Sequence, residues 1–563
     1  MVSGLHQPMN LSERVQSRAY ERRWLILAVL CFSLLIIVLD NSILNVAIPT
    51  IVRDLDASNS QIQWIIDSYT LVFAGLLLTM GSLGDRYGRR GALQVGFVLF
   101  GLGSLASALA GSADQLIGTR AFMGIGGALI MPATLSIITN VFPSNERGRA
   151  IGFWAGTAGA GAALGPLTGG FLLEHFYWGS VFLVNLPIVA LGLLAGFFLI
   201  PDSKDPATPK LDPVGALASI VGLSALLYAI IEAPDSGWTD PAVLVALVGG
   251  LALAGVFIWW ETRTDHPMLD VRFFANPRFS AASASITFIF FAMFGSLFLL
   301  TQYLQFTLGY DPLAAGIRLL PFALTMGVVA AISPKVVERV GTKVVVATGL
   351  LLVTAGLLLM TQLGVDESYG NLIWRLMVMA VGMGLTMAPA TESVMGSLPL
   401  AKAGVGSAVN DTTRQVGGAL GVAIIGSVMS STYGSRVGEW FDRFAPRVPP
   451  QGQSGFESAK EAAQGQLGAA IQIAQDLPDQ LGLSGPAARQ LSADLVRTAN
   501  EAFVGAMHYG VAVAAIATFV GAIVAALWLP AHARATDVAE QAEEYAREMH
   551  VAGDGGERPE SAE

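Results

Sequence analysis

The chain has 563 residues, 53% hydrophobic and 13% charged, about half the charged share of a soluble domain. Its formal net charge of −10 excludes the basic footprint of a nucleic-acid binder, and its single cysteine, Cys31, excludes a disulfide framework or a multi-cysteine metal site. The composition is that of a polytopic membrane protein.

A helix needs about 20 apolar residues to cross the roughly 30 Å hydrocarbon core. That ruler predicts fourteen spans, at about 24–48, 62–81, 91–110, 116–141, 150–173, 179–200, 214–231, 241–260, 279–304, 313–333, 344–363, 372–394, 404–431 and 503–529. The first is too long for a signal peptide, lacks a cleavage site and carries Asp40. With both termini placed in the cytoplasm, the inside segments hold eighteen Lys and Arg, and the short outside loops hold Arg53 alone. That asymmetry sets the orientation.

The predicted organisation begins with a cytoplasmic segment at 1–23 and a six-helix bundle at 24–200. A linker at 201–213, two inserted helices at 214–260 and a second linker at 261–278 follow. A second six-helix bundle at 279–529 carries an extracytoplasmic insertion at about 432–502, and an acidic cytoplasmic tail occupies 530–563. The insertion is rich in Ala, Gln, Gly and Pro, reads as a mobile or cap-forming spacer, and has helix-like stretches at 458–475 and 487–499.

The two bundles echo each other. Asp85-Arg86-Tyr87-Gly88-Arg89-Arg90 follows the second span and Glu338-Arg339-Val340-Gly341-Thr342-Lys343 follows the tenth. Arg120 precedes Met131-Pro132-Ala133-Thr134 in the fourth span, and Arg375 precedes Ala388-Pro389-Ala390-Thr391 in the twelfth. Parallel repeats of this kind suit a transporter that rocks two bundles around a midplane site.

Ionisable residues inside spans are costly and mark ion or proton paths. Asp40 lies sixteen residues into its helix from the inside, about 24 Å along, while Asp67 and Arg120 lie about 6–8 Å in from the outside. All three are therefore expected in one outer layer, where an Arg approaching or leaving an acid would alternate its charge state. Asp411 and Arg414 are i, i+3 neighbours, which leaves Asp411 open between a proton or cation site and a satisfied pair. Arg318 and Arg375 sit near helix ends, where long side chains snorkel, and Glu392, at a helix end, carries no reading of its own.

The run Gly81-Ser82-Leu83-Gly84-Asp85-Arg86-Tyr87-Gly88-Arg89-Arg90 resembles the loop signature of the major facilitator superfamily. In physical terms Gly81 permits close helix approach and Gly88 a tight turn, while Asp85 can sit against a helix N-terminus or a basic partner, and Arg89 and Arg90 can meet acidic groups or helix C-termini. Gly161-Ala162-Ala163-Leu164-Gly165-Pro166-Leu167-Thr168-Gly169-Gly170 resembles the family's antiporter signature. Its small residues let helices approach closely, and Pro166 removes a backbone donor. Three further stretches are similar to the fourteen-helix drug–proton antiporters, the QacA/EmrB-like branch: 38–49 around Asp40, Phe182-Leu183-Val184-Asn185-Leu186-Pro187, and 410–418 around Asp411. Met123 departs from the Gln usual in the fourth helix, and Gly179 from the Arg that often follows Trp.

The resemblance implies an all-α major facilitator fold of two pseudo-repeated six-helix bundles plus two inserted helices. It also implies a multi-pass protein of the bacterial cytoplasmic membrane that exports amphipathic, cationic drugs in exchange for protons. The implied coupling residues are Asp40, Asp67, Arg120 and Asp411. The gating loop comprises Gly81, Asp85, Arg86, Gly88, Arg89 and Arg90, and the antiporter hinge Gly161, Gly165, Pro166, Gly169 and Gly170. Its expected partners are small amphipathic substrates, protons and the lipid bilayer, and it is expected to work as a monomer. No P-loop and no Gly-Lys pair occur, nor any G-x-S-x-G, H-E-x-x-H or C-x-x-C, and the six His residues are scattered. The expectation is therefore no enzyme, no cofactor, no metal and no ATP site. Rival readings are export of an endogenous lipid, siderophore or secondary metabolite, and a non-transporting sensor or scaffold; a membrane-embedded hydrolase lacks any nucleophile constellation.

Overall fold

The computed structural model describes residues 20–205, 211–448, 453–480 and 485–531; the acidic tail from 532 and the segment before 20 lie outside the described residues. Every long apolar run is helical, and no strand occurs among the described residues. A bilayer demands this, because the backbone there must satisfy its own hydrogen bonds. The first half comprises α1 (Arg23–Leu55), α2 (Asn59–Tyr87), α3 (Arg89–Ala108), α4 (Ala113–Val141), α5 (Ser144–His175), and a short α6 (Ser180–Leu183) running into α7 (Asn185–Leu199). The inserted pair is α8 (Pro213–Ser236) and α9 (Pro241–Glu261). After them come α10 (Pro277–Gln302), α11 (Pro312–Val340), α12 (Thr342–Met360), α13 (Tyr369–Met395), α14 (Ala403–Phe444), α15 (Gln453–Gly465), α16 (Leu467–Gln480) and α17 (Pro486–Trp528).

Thirteen helical stretches among the described residues are long and apolar enough to span a membrane. The 32-residue α5 is not one of them, because Gly and Ala take the place of larger apolar side chains. It is nonetheless a long helix packed between α1 and α11, and with it the long helices number fourteen.

Helix starts follow local rules. Ser58 caps α2 in a reciprocal box with Gln61, and Ser112 and Ser368 cap α4 and α13. Asp or Asn followed by Pro opens α8, α9, α10 and α11. The internal duplication is visible in the backbone: Gly88 between α2 and α3 and Gly341 between α11 and α12 take φ of 118° and 86°. Only glycine adopts such turns without strain, so the two echoing passages share one conformation.

Two buried cores result. One draws mainly on Ile26 to Ile200, where α1 packs on α5 and α7, and α4 on α2 and α3. The other draws mainly on Met268 to Leu529, where α10 packs on α14 and α17, α11 on α13, and α12 on α13 and α17. The bundles meet where α5 crosses α11 and where α14 lies on α2 and α4. The inserted helices pack on each other, and α8 fills the flank between α2 and α14.

The insertion is a folded cap. α14 and α17, at 42 and 43 residues, are each over 60 Å long by helical rise and project beyond the bilayer. Their outer ends enclose Trp440, Phe441, Phe456, Leu467, Leu477 and Leu495, all buried, together with α15 and α16. The helix-like stretch at 458–475 is two helices interrupted at Gln466, and Trp440 Nε1 donates to Asp494 Oδ2 at 2.9 Å.

Candidate functional site

The deepest charge in the first bundle is an ion pair. Arg120 Nη1 of α4 pairs with Asp40 Oδ2 of α1, and the two residues are 0% and 2% exposed. Their neighbours come from three more helices. Asn185 Nδ2, at the start of α7, donates to Asp40 Oδ1 at 2.8 Å and to Ser104 Oγ of α3 at 3.0 Å. Arg120 Nε donates to the Ile65 carbonyl of α2 at 3.3 Å, Nη2 reaches Asn41 Oδ1 at 3.5 Å, and the guanidinium lies 4.4 Å over the Tyr69 ring. Two buried charges are tolerated only with such pairing and added hydrogen bonds. The sequence pointed to Asp40 and Arg120 but gave Ser104 and Tyr69 no role; a polar amide inside the apolar run 179–200 was the available signal for Asn185.

Asp67 occupies another face of α2. It is half-buried and lines a cleft of about 90 Å³ with Gln63, Trp64, Leu71, Tyr228, Ile231 and Glu232, at the seam with the inserted α8. Trp64 and Tyr228 stack across that seam at 6.2 Å.

Asp411 lies in α14 at the bundle interface, 1% exposed. Its Oδ1 is 3.8 Å from Arg414 Nη1 and accepts from Asn410 Nδ2 at 3.2 Å, while Oδ2 has no hydrogen-bond partner among the described residues. Arg414 is held elsewhere. Its Nη2 donates to Thr391 Oγ1 at 3.1 Å, and its guanidinium lies 4.8 Å from the Trp154 ring of the other bundle and 5.2 Å from Phe290.

The loop after α2 joins the two bundles on the face that the basic loops mark as cytoplasmic. Asp85 Oδ1 accepts from Gly404 N at 2.8 Å, and Oδ2 from Val405 N at 3.0 Å, so the carboxylate caps the N-terminus of α14. Arg89 Nε and Nη2 hold Asp85 Oδ1 at 2.8 and 2.7 Å, and Nη2 also donates to the carbonyls of Leu400 and Ala401 at 2.9 and 3.0 Å. Gly81 makes the approach possible, since a Cβ there would lie 2.6 Å from the Gly404 oxygen and 2.7 Å from Ala408 Cβ. Arg90 Nη1 reaches the Ile200 carbonyl at 3.5 Å, and Arg86 lies 5.3 Å over the Tyr87 ring.

In α5, Gly161 accepts from Ser42 Oγ at 3.2 Å, and a Cβ on Gly165 would meet Ser42 Cβ at 2.5 Å. Gly169 faces Ile43 and Val46, and nothing lies within 4 Å of a Cβ on Gly170. The side chain of Pro166 lies outside the described residues, and α5 runs through this position as one helix. The signature is thus the seam of α5 with α1. Among the described residues no group of three His, Cys, Asp or Glu could hold a metal ion.

The Major Facilitator Superfamily model matches residues 30–422. Multidrug efflux pump LfrA of Mycolicibacterium smegmatis is 34% identical over 82% of this chain and 89% of its own. Methyl viologen resistance protein SmvA of Salmonella typhimurium is 34% identical over 82% and 91%, and the tetracenomycin C resistance and export protein of Streptomyces glaucescens 32% over 81% and 85%. Among solved structures, a bacterial homologue of the lysosomal transporter Spinster superposes with a TM-score of 0.52 at 17% identity, covering 89% of this chain and 97% of its own. The proton:xylose symporter XylE superposes at 0.51 and 15% identity, covering 70% and 86%. At these identities the structures speak for the fold alone.

Proposed function

The chain belongs to the Major Facilitator Superfamily, and from that premise we propose that it is a proton-coupled antiporter that exports amphipathic, cationic drugs by alternating access. It is a multi-pass transporter of the bacterial cytoplasmic membrane, not an enzyme. The observation that carries the proton reading is the Asp40–Arg120 pair, sealed inside one bundle and lacking any role as a surface anchor. A proton on Asp40 removes the charge that holds Arg120, and Arg120 must then find other partners by shifting α4 against α1. The Asp85 loop holds the cytoplasmic face shut until the bundles rock. Efflux and resistance relatives support drugs as cargo, with protons exchanged at Asp40, Asp67 and Asp411 and no bound cofactor.

The name of the tetracenomycin C relative supports a second cargo, a secondary metabolite, carried by the same machinery. Everted membrane vesicles energised by respiration test the main reading with a lipophilic cation such as ethidium. Uptake abolished by a protonophore is expected, and uptake that survives it contradicts proton coupling.

A further inference from the structure

The segment after α7 is more than a tether to the inserted helices. Ser203 accepts a hydrogen bond from Arg89 N through its carbonyl at 2.9 Å, and Asp205 N donates to the Asp85 carbonyl at 2.7 Å. Residues 203–205 therefore lie as a strap across the junction of α2 and α3, on the backbone of the two residues that close the cytoplasmic face. The Asp205 side chain is 3% exposed, and its Oδ2 is 3.4 Å from Lys402 Nζ. Lys402 belongs to the same short turn of the other bundle whose Leu400 and Ala401 carbonyls Arg89 holds.

We propose that Asp205 is a positioning residue of the gate: through Lys402 it ties the linker, and with it the inserted helix pair, to the closed cytoplasmic face. The inference rests on the proposed gating role of Asp85 and adds a second carboxylate to it. Burying a carboxylate is unfavourable unless it is paired. Here Lys402 comes from the opposite bundle, so this pairing exists only while that face is closed. The strap also hydrogen-bonds the backbone of Asp85 and Arg89, whose side chains meet the N-terminus of α14 and the turn before it. Because the same chain continues to α8 at Pro213, parting of the bundles at this face must pull on the inserted pair. Lys402, read from sequence as a topological charge, thereby acquires a structural partner.

Spin labels on Tyr87→Cys and Val340→Cys, in a Cys31→Ser background of the full chain in lipid nanodiscs, report the opening of this face as a distance distribution. Asp205→Asn and Lys402→Met should each raise the long-distance fraction roughly three- to tenfold, a shift of about 1 kcal/mol in a two-state equilibrium. The charge reversal Asp205→Lys with Lys402→Asp should return it towards wild type, which a purely structural role of Asp205 does not predict. Asp85→Asn is measured in parallel. A shift in Asp85→Asn without one in Asp205→Asn overturns this inference and leaves the gate intact. No shift in either overturns the gating role of Asp85 and the Asp205 inference together, and a charge reversal that rescues nothing overturns the pairing.

Discussion

Asn185 and Arg120 hold opposite oxygens of the same buried carboxylate, Asp40, from two different helices. The charge is thus matched on one side by a cation and on the other by a neutral amide that is itself anchored to Ser104. Removing only the cation leaves a buried acid without its counter-charge. Arg120→Ala should therefore lower the thermal unfolding midpoint in detergent more than any other single change at the site, at a cost of about 3–5 kcal/mol. Combining Asp40→Asn with Arg120→Met should recover most of that stability while transport stays absent. Such a recovery separates the role of the pair in stability from its role in coupling.

On the proposed gating reading, closure of the face that the basic loops mark as cytoplasmic needs the close approach of α2 and α14 at Gly81. Gly81→Val would push against the Gly404 carbonyl and Ala408 Cβ, neither of which is the end of a flexible side chain. Efflux should fall at least about tenfold, because small residues at helix crossings set the closest approach. Gly91→Ala is the control: no atom lies within 4 Å of a Cβ there, and efflux should match wild type.

Arg414 lies over Trp154 across the bundle interface instead of closing fully on Asp411. A thermal-stability double-mutant cycle of Trp154→Leu and Arg414→Met should give a coupling of about 0.5–2 kcal/mol, as for a desolvated cation over an aromatic face. A coupling near zero would make the contact incidental.

Acid should weaken one contact outside the membrane. Asn371 hydrogen-bonds the Glu367 carboxylate, with further help from Gly364 N and Arg375, and this holds its pKa below the usual 4.5. A folded-state pKa below the unfolded value gives stability that is present above about pH 4.5 and is lost as pH falls through the folded value. Glu367→Gln should therefore be slightly less stable than wild type at pH 7, and the gap in midpoint should close in acid. The Glu367 side chain is half-buried beside Arg375 at the helix end, its Arg375 pairing is a long 3.7 Å, and the difference is therefore small.

Much of the fold was legible because a bilayer imposes one rule, twenty apolar residues per span, and basic loops mark one side. α5 shows where apolarity alone is weak: its Gly and Ala serve close packing on α1 and α11, so length and small-residue spacing identify it better than hydropathy. Asp40 and Arg120 stood out as charges in apolar runs, and the equal depth of their predicted positions anticipated their meeting. Asp67 stood out in the same way, yet depth along a helix does not fix azimuth, and it faces the inserted α8. Asn185, Ser104 and Tyr69 reach the pair from helices remote in sequence, which no local pattern encodes. The strap at 203–205 uses backbone groups, invisible to side-chain motifs, and the cap helices carry a clear apolar stripe on an Ala- and Gln-rich stretch too polar overall to read as a span.

Purified protein in proteoliposomes under an imposed pH gradient puts the central claim to the most direct test, with efflux of a lipophilic cation and lumenal pH followed together. Wild type should move cation and protons in opposite directions at matched rates, and Asp40→Asn, verified as folded by its unfolding midpoint, should lose both. Coupled transport that persists in Asp40→Asn would contradict the account and reduce the Asp40–Arg120 pair to a structural bridge.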